Sequence, residues 1–149
     1  MTLLETIERL SNTRPLDKQA IEDALDVGMR GDPENANRYI FVMKSFRAPP
    51  PLTAVELRVP LEGATRKDGL LILDLDPEQE RIDEAQVKHR FGDDPELELP
   101  TPEQPADAPI YLSYAKPWGA LRFGFARPSK EFLTTIVIDA DRGSADAER

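Results

Sequence analysis

The sequence predicts an α+β fold in which a helical hairpin packs on an antiparallel sheet. Two segments near the N-terminus repeat apolar residues at helical spacing, and later segments alternate apolar and polar residues with the period of a strand. Proline, glycine and charged residues separate these segments. The chain has 149 residues, 40% of them hydrophobic, which is enough for one domain with a real core. We expect a single domain over residues 1–142 and a disordered tail over residues 143–149.

Three segments have the pattern of a helix. Thr2–Leu10 carries apolar residues on one side, with Thr2 placed as the N-cap, and Leu16–Val27 does the same after a proline. Glycines at positions 28 and 31 are expected to end the second helix. The basic content is too low for a DNA-binding helix-turn-helix, which favours a packing hairpin. A third helix is predicted over Asp83–Phe91 and ends at Gly92.

Six segments read as strands, in two groups of three. The first group, "RYIFVMKSF", "LTAVELRVP" and "GLLILDLD", predicts an antiparallel meander. The second group is "IYLSYA", "GALRFGFA" and "FLTTIVIDA". In its middle member, Leu121, Phe123 and Phe125 share one face. The segment between the third helix and the second group, "GDDPELELPTPEQPADAP", predicts a long irregular connection, either a binding loop or a solvated connector.

The two groups suggest a duplicated unit. Residues 16–78 and 83–142 each read as a helix followed by three strands with an acidic exit. Few residues are identical between them. The pattern therefore indicates either a genuine repeat or a coincidence of layout.

In this layout, and in the fragment "DEAQVKHRFGDDPE" ahead of a meander, the chain resembles the β-lactamase-inhibitor-like and outer-membrane-assembly-lipoprotein families. That resemblance implies helices packed on an antiparallel sheet, in a unit that can be duplicated. The lipoprotein cysteine and the disulfides of the secreted inhibitors are missing, and we expect no signal segment because the start "MTLLETIERLSN" is acidic. Through "APIYLSYAKPWGALRFGF" and its leucine-rich start, the chain is also loosely similar to small acidic cytoplasmic immunity proteins of bacterial toxin systems. This similarity implies an inhibitor of a protein toxin.

Charge and cysteine content limit the partners. Nineteen basic residues against 28 acidic ones give a formal net charge of -9, which argues against nucleic acid and favours a basic partner, unless the charge serves solubility alone. No cysteine is present, so disulfides, thiolate metal sites and cysteine nucleophiles are excluded. No run of apolar residues is long enough for a membrane span. We therefore expect a cytoplasmic protein that binds no membrane.

No set of residues predicts catalysis, a cofactor or a metal. His89 is the only histidine and is interpreted as an exposed helical residue. Asp74, Asp76, Glu78 and Glu80 form a carboxylate cluster that lacks the glycine and the final glutamate of an EF-hand, and it is interpreted as a solvated strand exit. The prediction is a protein that is not an enzyme.

The candidate site is the hairpin around Trp118, the only tryptophan. Pro117 and Gly119 favour a tight turn in which Trp118 is either a structural staple over the sheet or an exposed anchor for a partner. Tryptophan, tyrosine and arginine dominate interface hot spots, and acidic residues near the hairpin could steer a basic partner. The predicted partner-binding residues are Trp118, Tyr111, Tyr114, Arg122, Asp93, Asp94, Glu96 and Glu98.

These observations favour a non-catalytic inhibitor that binds another protein, in particular a bacterial immunity protein that neutralises a cognate toxin. The alternative is a small ligand-binding domain or enzyme that uses a carboxylate cluster in the concavity of the sheet.

Overall fold

Three helices and one antiparallel eight-stranded sheet form the fold in the computed structural model, which describes residues 2–64, 68–105, 108–126 and 131–140. The predicted α+β class with an antiparallel sheet is confirmed. The elements in chain order are α1 (Leu3–Ser11), α2 (Lys18–Leu25), β1 (Gly28–Gly31), β2 (Ile40–Arg47), β3 (Leu52–Pro60), β4 (Leu70–Leu75), α3 (Glu84–Phe91), β5 (Glu96–Glu98), β6 (Ile110–Lys116), β7 (Gly119–Phe125) and β8 (Leu133–Asp139).

Side-chain caps fix where the helices begin. The Thr2 hydroxyl accepts a hydrogen bond from the backbone N–H of Glu5 at the start of α1, and Asp17 plays the same part for α2. At the start of α3, Asp83 and Gln86 cap each other's backbone N–H groups reciprocally. All three predicted helices are therefore present, and α2 is shorter than predicted because Asp26 ends it in a left-handed conformation (φ 55°).

Two strands were not predicted. Gly28 and Gly31, expected to end α2, instead bound β1, where the missing side chain of Gly28 makes room for the Phe46 ring: an added Cβ would lie 2.6 Å from Phe46 Cζ. β5 lies within the segment expected to be an irregular connection. Each of α2 and α3 is thus followed by four strands rather than three.

The strand order is β1-β2-β3-β4-β8-β7-β6-β5. Both predicted meanders are present, β2 to β4 and β6 to β8, and β4 pairs with β8 where they meet. This order brings the second group of strands back against the first to form one continuous sheet. Whether α1 and α2 form a hairpin and whether the two halves are a duplication stay predictions. The predicted tail over 143–149 lies outside the described residues.

The core lies between the helices and one face of the sheet. Leu71, Ile138 and Leu121 are paired neighbours on β4, β8 and β7, and each is 0% exposed. They belong to one buried apolar cluster with Ile7 of α1 and Val87 of α3. Because side chains alternate across a strand, the residues between them point to the opposite face of the sheet.

Candidate functional site

The sheet face opposite the buried apolar cluster, which includes residues of the helices, is here called the open face. Strand pairing places a single row of residues across all eight strands of this face: Arg30, Lys44, Glu56, Ile72, Val137, Arg122, Ser113 and Glu96. Ile72 and Val137 at the centre of the row are only half-buried, whereas Leu71 and Leu73 on the helix-covered side of the same strand are fully buried. The open face therefore presents an apolar centre to solvent.

Ion pairs flank this apolar centre on the β2–β3 side. Lys44 Nζ lies 3.1 Å from Asp32 and 3.8 Å from Glu56, and Arg58 Nε donates to Glu56 at 2.7 Å. Glu56 is thus shared between two cations on neighbouring strands. This side of the open face is charged, and its charges are largely matched within the protein.

Arg122 organises the other side. Its Nε and Nη1 donate to carboxylates of Glu98 on β5 and Asp139 on β8, each at 3.1 Å. Ser113, its pairing neighbour on β6, is small and 8% exposed, so the Arg122 side chain reaches across β6 to the edge strand. One guanidinium therefore ties β5, β7 and β8 together on the open face.

Tyr111 lies next to this network, over a glycine. An added Cβ at Gly124 would lie 2.8 Å from Tyr111 Cε1, so the ring rests on the backbone of β7. Burial raises the pKa of the Tyr111 hydroxyl, the charges of Asp74 and Glu98 raise it further, and the charge of Arg122 lowers it. The Tyr111 hydroxyl is therefore close to two carboxylates and one cation of the open face.

Asp74 is a carboxylate of the open face whose surroundings disfavour its charged form. Partial loss of hydration raises its pKa, a hydrogen bond with Thr135 lowers it, and the nearby charge of Glu56 raises it. Asp74 and Glu56 line a shallow cavity of about 240 Å³ whose walls include Ala54, Ile72 and Lys44. A larger groove of about 580 Å³ lies on the helical side, between the start of α1 and α3, and His89 is part of its lining.

Trp118 lies at the turn between β6 and β7, on the helical side of the molecule. It is half-buried and packs against the core, and the guanidinium carbon of Arg14 lies 4.5 Å from the centre of its ring. Arg14 also lies 3.7 Å from Asp68. The environment of Trp118 has features of both interpretations, because the side chain packs on the core without being fully covered.

The predicted partner-binding residues of the hairpin do not share one surface. Tyr111 and Arg122 lie on the open face, whereas Tyr114 is 8% exposed, contacts Phe91 and Phe123, and donates its hydroxyl hydrogen to the carbonyl of Gly92. Tyr114 therefore packs beneath α3 and lies outside the open face. Its role as a partner contact stays a prediction.

The four acidic residues predicted to steer a partner lie close together in the chain but differ in setting. Asp93 and Asp94 are exposed in the loop after α3, and Glu96 is exposed on β5. Glu98 is held by Arg122. All four lie at the β5 end of the sheet.

The other carboxylates of the predicted cluster lie beyond the end of β4. Asp76 accepts a hydrogen bond from the backbone N–H of Glu78 in the turn after β4, and both Glu78 and Glu80 are exposed. Among the described residues, no group of three or more His, Cys, Asp or Glu side chains is placed to hold a metal ion. No helix within the described ranges has the length and apolar character to cross a membrane.

Sequence reasoning missed the centre and the β2–β3 side of the open face. Ile72 alternates with Leu71 and Leu73 in "GLLILDLD", so the period of two already separated it from the core positions. The ion pairs of Lys44 gave no such signal, because they depend on which strands become neighbours.

Searches against protein-family models, curated proteins and solved structures found no match to this chain.

Proposed function

We propose that this protein is a non-catalytic inhibitor that binds another protein through the open face of its sheet, as a bacterial immunity protein does when it neutralises a toxin. The observation that carries the proposal is the arrangement of the open face, where half-buried Ile72 and Val137 lie between the ion pairs of Lys44 and those of Arg122. Protein interfaces combine an apolar centre with a polar rim in this way.

The shape of the open face also favours a macromolecular partner. Its cavity beside Asp74 has a volume of about 240 Å³, whereas small-molecule pockets usually enclose roughly 300 Å³ or more. Tyr111 and Arg122 are residue types that recur at interface hot spots, and both lie beside the apolar centre. A surface of this kind buries area by lying flat against a partner.

The net charge of -9 supports a basic partner. Such charge accelerates encounter with a basic surface, and the exposed carboxylates of Asp93, Asp94 and Glu96 lie at one end of the sheet. We also propose that the protein is cytoplasmic and that its two halves share the duplicated helix-and-strand layout of the families it resembles.

Capture followed by an activity measurement tests the proposal. The tagged protein is used as bait in lysate of its host, the stoichiometric partner is identified by mass spectrometry, and both are then purified and recombined. We expect the protein to inhibit the partner's activity at a one-to-one ratio. Failure to recover a stoichiometric partner under several growth conditions, or recovery of one whose activity is unchanged, contradicts the proposal.

Two matched baits locate the surface. Val137→Lys places a charge at the apolar centre of the open face and is expected to abolish capture. Leu61→Lys changes an apolar residue that is 41% exposed elsewhere and should leave capture intact. Circular dichroism of both variants confirms that they fold. Equal capture by both baits would remove the open face from the proposal.

A ligand-binding or enzymatic role is the second candidate, and the cavity between Glu56 and Asp74 is the observation that favours it. Two carboxylates beside the apolar wall of Ile72 could receive a small amine. A thermal-shift screen with metals, amines and metabolites tests this role, because a ligand bound only by the folded state raises the melting temperature. A stabilising ligand whose effect is lost in Asp74→Asn would favour the second candidate over the first.

A further inference from the structure

The edge strand β5 exposes apolar side chains to an unusual degree. Among the large hydrophobic residues that are exposed in the described chain, Leu97 at 57% and Leu99 at 62% are the most accessible. On β5 itself Leu97 lies between Glu96 and Glu98, so its side chain leaves the opposite face of the sheet from theirs, and Leu99 follows directly after the strand. β5 therefore presents carboxylates on one face of the sheet and an apolar side chain on the other.

Within the described residues, β5 also has a backbone edge that no other strand pairs with. It is the last strand in the sheet order and pairs with β6 alone in the part of the chain that is described. Alternate residues of an edge strand direct N–H and C=O groups away from the sheet, where another strand can pair with them. Pro95 and Pro100 lie on either side and confine the usable edge to Glu96–Leu99.

The opposite edge is arranged differently. The aromatic rings of β2 pack over the glycines of β1: an added Cβ would lie 2.6 Å from Phe46 at Gly28 and 3.0 Å from Phe41 at Gly31. Met29, the apolar side chain of β1, is 3% exposed, so this edge presents no exposed apolar side chain to a partner. β5 is therefore the edge whose exposed side chains can distinguish one partner segment from another.

We propose that the β5 edge binds an extended segment of a partner protein by strand addition, and that this segment alternates basic and apolar residues. A basic residue would lie opposite Glu96 on the open face, since Glu98 already pairs with Arg122, and apolar residues would contact Leu97 and, just beyond β5, Leu99 on the other face. This inference rests on the proposed function, because it names the part of the partner that the β5 end of the sheet receives. Strand addition supplies affinity through main-chain hydrogen bonds and specificity through alternate side chains.

A second copy of this chain does not fit the same edge. If two β5 strands paired antiparallel with leucine opposite leucine, glutamate would lie opposite glutamate, and like charges directly across a strand pair are destabilising. A net charge of -9 on each copy adds to this repulsion. The charge pattern therefore selects a basic segment.

Fluorescein-labelled synthetic peptides test the edge directly. The probe is a heptapeptide of alternating lysine and valine, and two controls replace either its valines by proline or its lysines by glutamate. The proline control keeps the charge but cannot form a ladder. We expect the lysine–valine peptide to bind about tenfold or more tightly than either control in fluorescence anisotropy titrations. Hydrogen exchange should slow at residues 96–99 when it binds.

Two variants locate the binding. The double variant Leu97→Ser with Leu99→Ser removes the apolar side of the edge and is expected to weaken peptide binding about tenfold. Leu61→Ser, an equally conservative change at a residue 41% exposed elsewhere, should leave binding unchanged. All three leucines are exposed, so both variants should fold, and circular dichroism verifies it.

Several results would overturn the inference. One is a proline peptide whose affinity is within about twofold of that of the lysine–valine peptide. Another is an unchanged affinity of the double variant for the lysine–valine peptide. A third is slower hydrogen exchange at a strand other than β5 when the peptide binds. Self-association through β5 in sedimentation experiments would assign the edge to a second copy instead. Because the peptides replace the natural partner, failure here with a partner still captured and inhibited rejects the edge inference alone.

Discussion

Trp118→Ala is expected to destabilise the fold by about 3 kcal/mol. Complete burial would set the cost at roughly 3–5 kcal/mol, and because Trp118 is only half-buried we expect about half of this. The Arg14 guanidinium, 4.5 Å from the ring centre, adds about 0.5–1 kcal/mol. The total is within the range that equilibrium unfolding resolves.

Urea unfolding followed by circular dichroism measures this change, since the variant has no tryptophan to report by fluorescence. For a chain of this length, the expected loss corresponds to a melting temperature lower by about 6–12 °C. In the wild-type protein, a soluble quencher should reduce the tryptophan emission only in part. The interaction with Arg14 is isolated by a double-mutant cycle with Arg14→Met, which keeps the aliphatic stem but removes the charge.

Phe46 provides a matched control. The guanidinium carbon of Arg30 lies 4.5 Å from its ring centre, the same distance as in the Trp118 pair, but Phe46 is 56% exposed. Phe46→Ala should therefore cost less than Trp118→Ala, about 1 kcal/mol. A loss below about 0.5 kcal/mol for Trp118→Ala would refute the staple and restore the interpretation of Trp118 as an exposed anchor.

Three further outcomes follow from the open face and its edge. Gly124→Ala should cost about 1–3 kcal/mol, because the new Cβ would lie 2.8 Å from the Tyr111 ring, and adding Tyr111→Ala should restore part of that loss in urea unfolding. The fold raises the pKa of Asp74, so its ionised form destabilises the protein above that pKa. Asp74→Asn should accordingly raise the free energy of unfolding at pH 7 and leave it unchanged below about pH 3; a carboxyl that titrates below its ordinary range by NMR would contradict this. If Asp93 and Asp94 steer the captured partner, neutralising both should slow association at low salt and have little effect at high salt in stopped-flow measurements, whereas equal rates at both salt concentrations would exclude steering.

The strands with a clear period of two could be predicted from the sequence, and so could the helices with side-chain caps. β1 and β5 could not, because each has three or four residues, and glycines bound one while prolines flank the other. Segments this short carry too few alternations to be distinguished from turns. Their pairing with β2 and β6, rather than local propensity, makes them strands.

The division of the hairpin between two faces was available in the sequence but was missed. Tyr111 and Tyr114 are three positions apart, and an odd spacing along one strand places two side chains on opposite faces. The reach of Arg122 to Glu98 and Asp139 was not available in this way. It depends on β8 lying between β4 and β7, which is a property of the strand order and not of any one segment.

The charges of the open face are already paired within the molecule, and this bears on where its binding energy arises. Lys44 and Arg122 each contact two carboxylates, so a partner's charge must compete with existing ion pairs instead of meeting free ones. Ile72 and Val137 have no such competition, because burying a half-exposed apolar side chain only removes water from it. The apolar centre is therefore the source of affinity expected for this face, while the surrounding ion pairs determine which partners are repelled and in which orientation the accepted one binds.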